Sequence, residues 1–186
     1  MLNKDKVEIR MGGTGGQGLI TAAIILAEAV IKAGKNVVQT QSYGPEARGG
    51  SSKAEVVISN KDIAFPKVRK ADILLVMSQE AADKYCTEVS DDAIIISDSM
   101  FVNKIPHSKA TNIPIPITLI AKEKLGNEIT ANIVALGIVA CLSGVVEQSD
   151  VLYAISKRLP AATEEINKNA FDIGWEIALD KKTFLN

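Results

Sequence analysis

The chain has 186 residues, 47% of them hydrophobic, enough to bury one sizeable core, and residues 1–186 are expected to form a single domain. Its 21 Lys and Arg nearly cancel its 22 Asp and Glu, so no long-range field favours nucleic acid or an anionic membrane. Cys86 and Cys141 lie far apart with no CxxC pair, so no metal or iron–sulfur site is expected on this chain.

Residues 1–10 alternate charged and apolar side chains instead of building the apolar core of a signal peptide, and a reducing cytoplasm is the expected location. Residues 7–11 then read as a strand, followed by a glycine-rich turn and a helix over residues 17–33 that Gly34 ends. A second strand at 36–41 completes what reads as a βαβ opening, with parallel strands joined by a crossover helix. Further strands are expected at 54–59, 72–77 and 93–97, each apolar through its middle as a doubly covered sheet requires.

Residues 107–117 follow Pro106 and contain Pro114 and Pro116, so they are expected to be extended and at best an edge strand. Helices follow at 118–124, 130–146, 149–158 and 163–181, with Pro160 between the last two. The run 129–146 is apolar but barely long enough for a bilayer, and Gly137 and Gly144 suit close helix packing, so a buried helix is expected. In the last helix Ile166, Ala170, Ile173 and Ile177 recur at helical spacing as a packing stripe, leaving Glu164, Lys168 and Glu176 to water. The fold class is α/β: a three-layer α/β/α Rossmann-like sheet, mostly parallel, with a helical C-terminal portion.

Two motifs stand out. The first, Gly13-Thr14-Gly15-Gly16-Gln17-Gly18, separates the first strand from the first helix. Glycines there permit positive φ and close backbone approach, and a helix N-terminus favours a phosphate or carboxylate. The spacing matches a dinucleotide fingerprint, but the acid that would hold the ribose is missing, because the second strand ends in Gln39-Thr40-Gln41. A tight turn that serves helix-to-sheet packing alone is the competing reading.

The second motif is Ser42-Tyr43-Gly44-Pro45-Glu46-Ala47-Arg48-Gly49-Gly50-Ser51-Ser52. Its glycines and proline mark a turn, yet it also carries an aromatic ring, a carboxylate and a guanidinium. Arg48 suits a phosphate or carboxylate, with Glu46 orienting it or pairing with a partner's basic group; a Glu46–Arg48 pair that only stiffens the loop is the alternative. Both loops are expected in one crevice at the carboxyl ends of neighbouring parallel strands.

In this order the two motifs resemble the gamma subunit, or gamma domain, of the 2-oxoacid:ferredoxin oxidoreductase family. Residues 71–81 and 132–137 are similar to that family too, so nearly the whole chain is covered. The sequence Gly44-Pro45-Glu46-Ala47-Arg48-Gly49-Gly50 is most similar to the 2-oxoglutarate type. The resemblance implies oxidative decarboxylation of a 2-oxoacid with coenzyme A (CoA), two electrons passing to ferredoxin. It also implies that thiamine diphosphate, Mg²⁺ and iron–sulfur clusters are carried by alpha, beta and delta partners in a hetero-oligomer. No residue here is expected to make or break a bond, and His107 is expected in an exposed surface loop. Gly13, Gly15, Gly16, Gln17, Gly18, Tyr43, Gly44, Glu46, Arg48, Gly49 and Gly50 are the candidate contacts, with Gly15, Gly16 and Arg48 foremost for an anionic group. A stand-alone dinucleotide-binding oxidoreductase and a non-catalytic module for an anionic metabolite are the rival functions.

Overall fold

Val7, Ile9 and Met11 alternate with Glu8, Arg10 and Gly12 along the first strand, and strand geometry sends the two sets to opposite faces of the sheet. In the computed structural model, which describes residues 5–42, 51–106 and 108–183, the apolar set enters the larger of two cores. Six strands make up the sheet: β1 (Lys6–Thr14), β2 (Asn36–Ser42), β3 (Ser51–Ser59), β4 (Ala71–Val76), β5 (Val89–Asp98) and β6 (Thr111–Ile115), in the spatial order β2-β3-β1-β4-β5-β6.

β1, β4, β5 and β6 are mutually parallel. β3 runs antiparallel to both β1 and β2, so it separates the two strands that the sequence pattern makes neighbours. The sheet is therefore mixed, a parallel block with a hairpin attached: β1 and β2 run parallel across the α1 crossover as the βαβ opening requires, but β3 is inserted between them and pairs antiparallel with both. The physical reason is connection length: the segment from Ser42 to Ser51 is too short for a crossover, which needs a dozen or more residues. β6 is the proline-bearing edge strand expected after Pro106.

Among the described residues the six α-helices divide unequally. Helix α1 (Leu19–Lys32), α4 (Ala131–Ser143), α5 (Gln148–Arg158) and α6 (Glu164–Thr183) share the larger core with Ile9, Met11, Val56, Ile73 and Leu75, and α3 (Ile117–Leu125) joins them through Ile117 and Ala121. The opposite face carries a short helix, α2 (Gln79–Tyr85), over Val57, Leu74, Val76 and Ile95. The sequence pattern does not single out α2; its start is set by the Ser78 side chain, which accepts from Ala81 N–H at 3.2 Å.

Arg10 also lies on the α2 face, 2% exposed. It donates to Glu55 at 2.8 Å, to Glu88 at 2.5 Å and to the Val68 carbonyl at 3.1 Å, and its guanidinium lies 5.3 Å from the centre of the Tyr85 ring. Burial pushes the Glu55 carboxyl up, but hydrogen bonds from Lys53 and Arg10, with their charges, outweigh it and hold the group below the ordinary carboxylate range.

α4 and α6 cross where both lack a side chain. A Cβ on Gly174 would strike the Val134 carbonyl, and one on Gly137 would strike the Phe171 carbonyl and lie 2.8 Å from Trp175 N. The buried stripe of α6 is Asn167, Ala170, Phe171, Gly174 and Ala178, so Ile166, Ile173 and Ile177 flank the contact instead of forming it. Gly137 packs as expected; Gly144 instead ends α4 in the left-handed conformation, φ 63°. Gly34 does the same after α1 with φ 75°. Among the described residues no helix is long and apolar enough to cross a membrane.

Candidate functional site

The connection from β1 goes to α1 on one face of the sheet and that from β4 goes to α2 on the other. This divergence opens a crevice outside the carboxyl ends of the two adjacent parallel strands, the place where open α/β sheets hold ligands. The first glycine motif forms one wall.

Its glycines do different things. The Gln17 side chain turns back into the loop, accepting from Thr14 N–H at 2.8 Å and donating to the Met77 carbonyl at 2.9 Å. That amide ties the end of β1 to the end of β4, and Gly13 must lack a Cβ because one would collide with Gln17 Oε1. Met77 N–H donates in turn to the Gly12 carbonyl at 2.9 Å. Gly18 starts α1 at φ 73° with no side-chain cap. Asn132 of α4 donates to its carbonyl at 3.1 Å and fills the space a Cβ would need. Gly15 and Gly16 differ: both are exposed, a Cβ on either would meet nothing within 4 Å, and Gly16 has φ 92°. Of the motif's glycines, Gly13 and Gly18 are required by inward-facing amides, and Gly15 and Gly16 form an open tip.

Two hollows flank this tip. One, of about 220 Å³, is lined by Gly16, Gln17, Met77, Phe101, Thr118, Glu128, Ile129 and Ala131. The other, of about 270 Å³, is lined by Thr14, Gly15, Gly16, Gly18, Leu19 and Ser52, among others. Ser52 Oγ donates to the Gly13 carbonyl at 3.3 Å, and Thr14 pairs with Ser51. Both ends of the 43–50 segment, Ser42 and Ser51, thus lie at the same end of the sheet as the first motif. Tyr43, Gly44, Glu46, Arg48, Gly49 and Gly50 lie outside the described residues, as does His107.

The far wall is built by residues the sequence motifs do not include. Asp98 at the end of β5 is fully buried and accepts from Met100 N–H at 3.1 Å, from Thr118 N–H at 3.1 Å and from Thr118 Oγ1 at 2.6 Å. It fixes the turn carrying Phe101 and the start of α3 together. A buried acid ending a strand just before a turn is the signal that finds this wall. Glu128, the charged residue lining the hollow, is tied to Lys122 at 2.8 Å. Among the described residues no group of three His, Cys, Asp or Glu side chains is placed to hold a metal ion, and none of the buried side-chain nitrogens or oxygens lacks a hydrogen-bond partner. Such a crevice can receive a ligand or a protein segment through backbone and apolar contacts.

Residues 8–177 match the family model described as pyruvate ferredoxin/flavodoxin oxidoreductase. The chain is 46% identical to the 2-oxoglutarate synthase subunit KorC of Methanocaldococcus jannaschii, a match covering 95% of this chain and 98% of that one. It is 33% identical to the ketoisovalerate oxidoreductase subunit VorA of Methanothermobacter thermautotrophicus over 77% of this chain but only 30% of that longer one. The crystal structure of a keto/oxoacid ferredoxin oxidoreductase gamma subunit from Geobacter sulfurreducens superposes with a TM-score of 0.85 at 45% identity, covering 94% of this chain and 99% of that one. With residues 8–177 matched by the family model and nearly the whole chain covered by a relative at 46% identity, this chain belongs to the pyruvate ferredoxin/flavodoxin oxidoreductase family.

Proposed function

We propose that the chain is the gamma subunit of a 2-oxoglutarate:ferredoxin oxidoreductase, an assembly that converts 2-oxoglutarate, CoA and oxidised ferredoxin into succinyl-CoA, CO₂ and reduced ferredoxin. The observation that carries this reading is the near end-to-end match, in both directions, to a 2-oxoglutarate synthase subunit. The lower identity to the ketoisovalerate subunit favours the 2-oxoglutarate branch. Alpha and beta subunits, with a delta subunit where present, carry the thiamine diphosphate, Mg²⁺ and iron–sulfur clusters. This chain acts as one domain that packs against them in the cytoplasm, a reading supported by the single continuous sheet and the family match over 8–177.

The crevice gives the chain its part. Gly13, Gly18 and Gln17 hold the turn, while Gly15 and Gly16, with Arg48 and its neighbours Tyr43, Gly44, Glu46, Gly49 and Gly50, form a surface that meets the catalytic subunits and borders the approach of anionic CoA. Reconstitution tests this. The chain alone, supplied with 2-oxoglutarate, CoA and ferredoxin, is expected to be inactive, and activity is expected when it is combined with the alpha and beta subunits. Arg48→Ala is expected to fold normally and to lower the activity of the reconstituted complex. Reduction of a nicotinamide or flavin by the isolated chain with substrate would overturn the reading.

A further inference from the structure

Helix α2, seven residues long, touches the base of both glycine motifs. Its Ala81 and Tyr85 are buried against β1: a Cβ on Gly12, the residue before the first motif, would lie 2.8 Å from the Tyr85 ring and 3.2 Å from Ala81 Cβ. The neighbours of these two along the helix, Glu80 and Lys84, both end on Ser51, near the close of the second motif. Ser51 N–H donates to Glu80 Oε1 at 3.2 Å, and Lys84 Nζ donates to Ser51 Oγ at 3.3 Å. One residue is thus held through its backbone and its side chain by two groups one helical turn apart.

The place of this grip matters more than its strength. The pairing of β2 with β3 ends at Ser42 and Lys53, so Ser51 and Ser52 have only β1 beside them, and their ladder with β1 ends at Thr14 and Ser51. The last pair of a ladder is where a strand frays, and a side-chain clamp there has the greatest effect on where the chain lies. Ser52 carries that effect to the crevice. Its Oγ donates to the Gly13 carbonyl at 3.3 Å, and it lines the hollow of about 270 Å³ with Thr14, Gly15 and Gly16. Glu80 in the first turn and Lys84 in the last also suit the dipole of α2, but that alone requires no contact with Ser51. Both are exposed, whereas Ser51 and Ser52 are buried, so the clamp acts from the surface on a buried strand end.

We infer that Glu80 and Lys84 are positioning residues for the glycine-tip surface: by clamping Ser51 they hold the wall that Ser52 gives the hollow beside Gly15 and Gly16, and fix where the second motif returns to the sheet. This rests on the gamma-subunit reading and adds residues that shape the site without touching what binds there.

The test uses the full chain reconstituted with the alpha and beta subunits, and reads kcat, KM for CoA and the subunit concentration that gives half-maximal activity. Glu80→Ala is expected to raise KM for CoA or the half-saturating subunit concentration by about three- to tenfold, as loss of a hydrogen bond to a charged group does. Its kcat at saturation is expected to stay at the wild-type value, because a displaced binding surface removes binding and no chemistry. Glu80→Gln keeps an acceptor for Ser51 N–H and is expected to restore the wild-type constants. Lys84→Met is expected to show a smaller loss that Ser51→Ala reproduces and that the double variant does not deepen. Glu176→Ala, at an exposed position of α6, is expected to match the wild type. Wild-type constants in Glu80→Ala would overturn the inference, and activity conferred by the wild-type chain keeps the gamma-subunit reading standing in that event. Glu80→Gln as damaging as Glu80→Ala would also overturn it, by assigning the effect to charge. So would an isolated Glu80→Ala chain that circular dichroism shows to be unfolded, by making the contact purely structural. A wild-type chain that confers no activity on the other subunits would overturn the gamma-subunit reading itself.

Discussion

Gly137 and Gly174, where α4 crosses α6, and Gly15 and Gly16, at the tip of the loop after β1, show glycine used for opposite purposes. At the crossing, a single methyl on either residue would run into the carbonyl of the other helix, so the two backbones touch because nothing separates them. At the tip a methyl would meet empty space. The first pair is read by the protein's own core and the second by whatever approaches from outside. The distinction is steric and can be broken by substitution, because sealed positions should answer in stability and open ones in assembly and turnover.

The largest effect is expected at the sealed end of this comparison. Arg10→Ala takes away one of the two cations on the buried Glu55 but leaves Lys53 and Thr40 beside it, so the expected cost falls toward the lower end of the roughly 3–5 kcal/mol for breaking a buried ion pair; chemical denaturation of the isolated chain measures it. The pair also sets a pH dependence. Because Glu55 is held low in the fold, its contribution is complete above the unfolded carboxylate value of about 4.3 and is lost as pH falls through the lower folded value. Glu55→Gln is therefore expected to flatten the acid limb of a melting-temperature profile below pH of about 4.3. Gly174→Ala comes next. Overpacking against the Val134 carbonyl is expected to cost about 2–3 kcal/mol, of which alanine's better helix propensity returns roughly 1 kcal/mol.

The same contrast explains what the sequence could convey. Strand positions were legible because Val7, Ile9 and Met11, or the apolar runs of β4 and β5, carry their burial in side-chain chemistry. Strand direction was not, since an apolar run such as Val56–Val57–Ile58 reads alike either way; the short connection after Ser42 was the available clue to the hairpin. The face of α6 was misplaced for a related reason. A stripe sought among isoleucines passes over Gly174, whose value lies in having no side chain. The glycine motif was legible as a special turn, but the division within it depends on Gln17 and Asn132, and Asn132 lies more than a hundred residues away in sequence. The Asp98 wall is hinted at only by an acid at the end of an apolar strand, and its role emerges when β5 and α3 are brought together.

Within the first motif the effects should fall stepwise from the walls of the turn to its tip. Gly18→Ala is strained by φ 73° and displaces the Asn132 amide, for an expected loss of about 2 kcal/mol. Gly16→Ala meets no neighbour and carries only the left-handed backbone cost of roughly 1 kcal/mol. Thermal unfolding of the two variants side by side should reproduce that order, and a larger loss for Gly16 would show that its surroundings are filled.

Gly15 is the limiting case. It has no positive φ and no neighbour within reach of a Cβ, so Gly15→Ala should change stability by no more than about 0.5 kcal/mol. Even Gly15→Trp should leave the isolated chain folded, because a side chain grafted onto the tip projects into the crevice and not into the core. In the reconstituted complex that tryptophan would occupy the surface offered to the catalytic subunits and CoA. The outcome that fits an outward-reading tip is an unchanged melting temperature together with weakened subunit affinity or a raised KM for CoA. Unfolding of Gly15→Trp would move Gly15 to the sealed class with Gly137 and Gly174. A folded variant with wild-type assembly and turnover would show that the tip faces neither partner nor substrate.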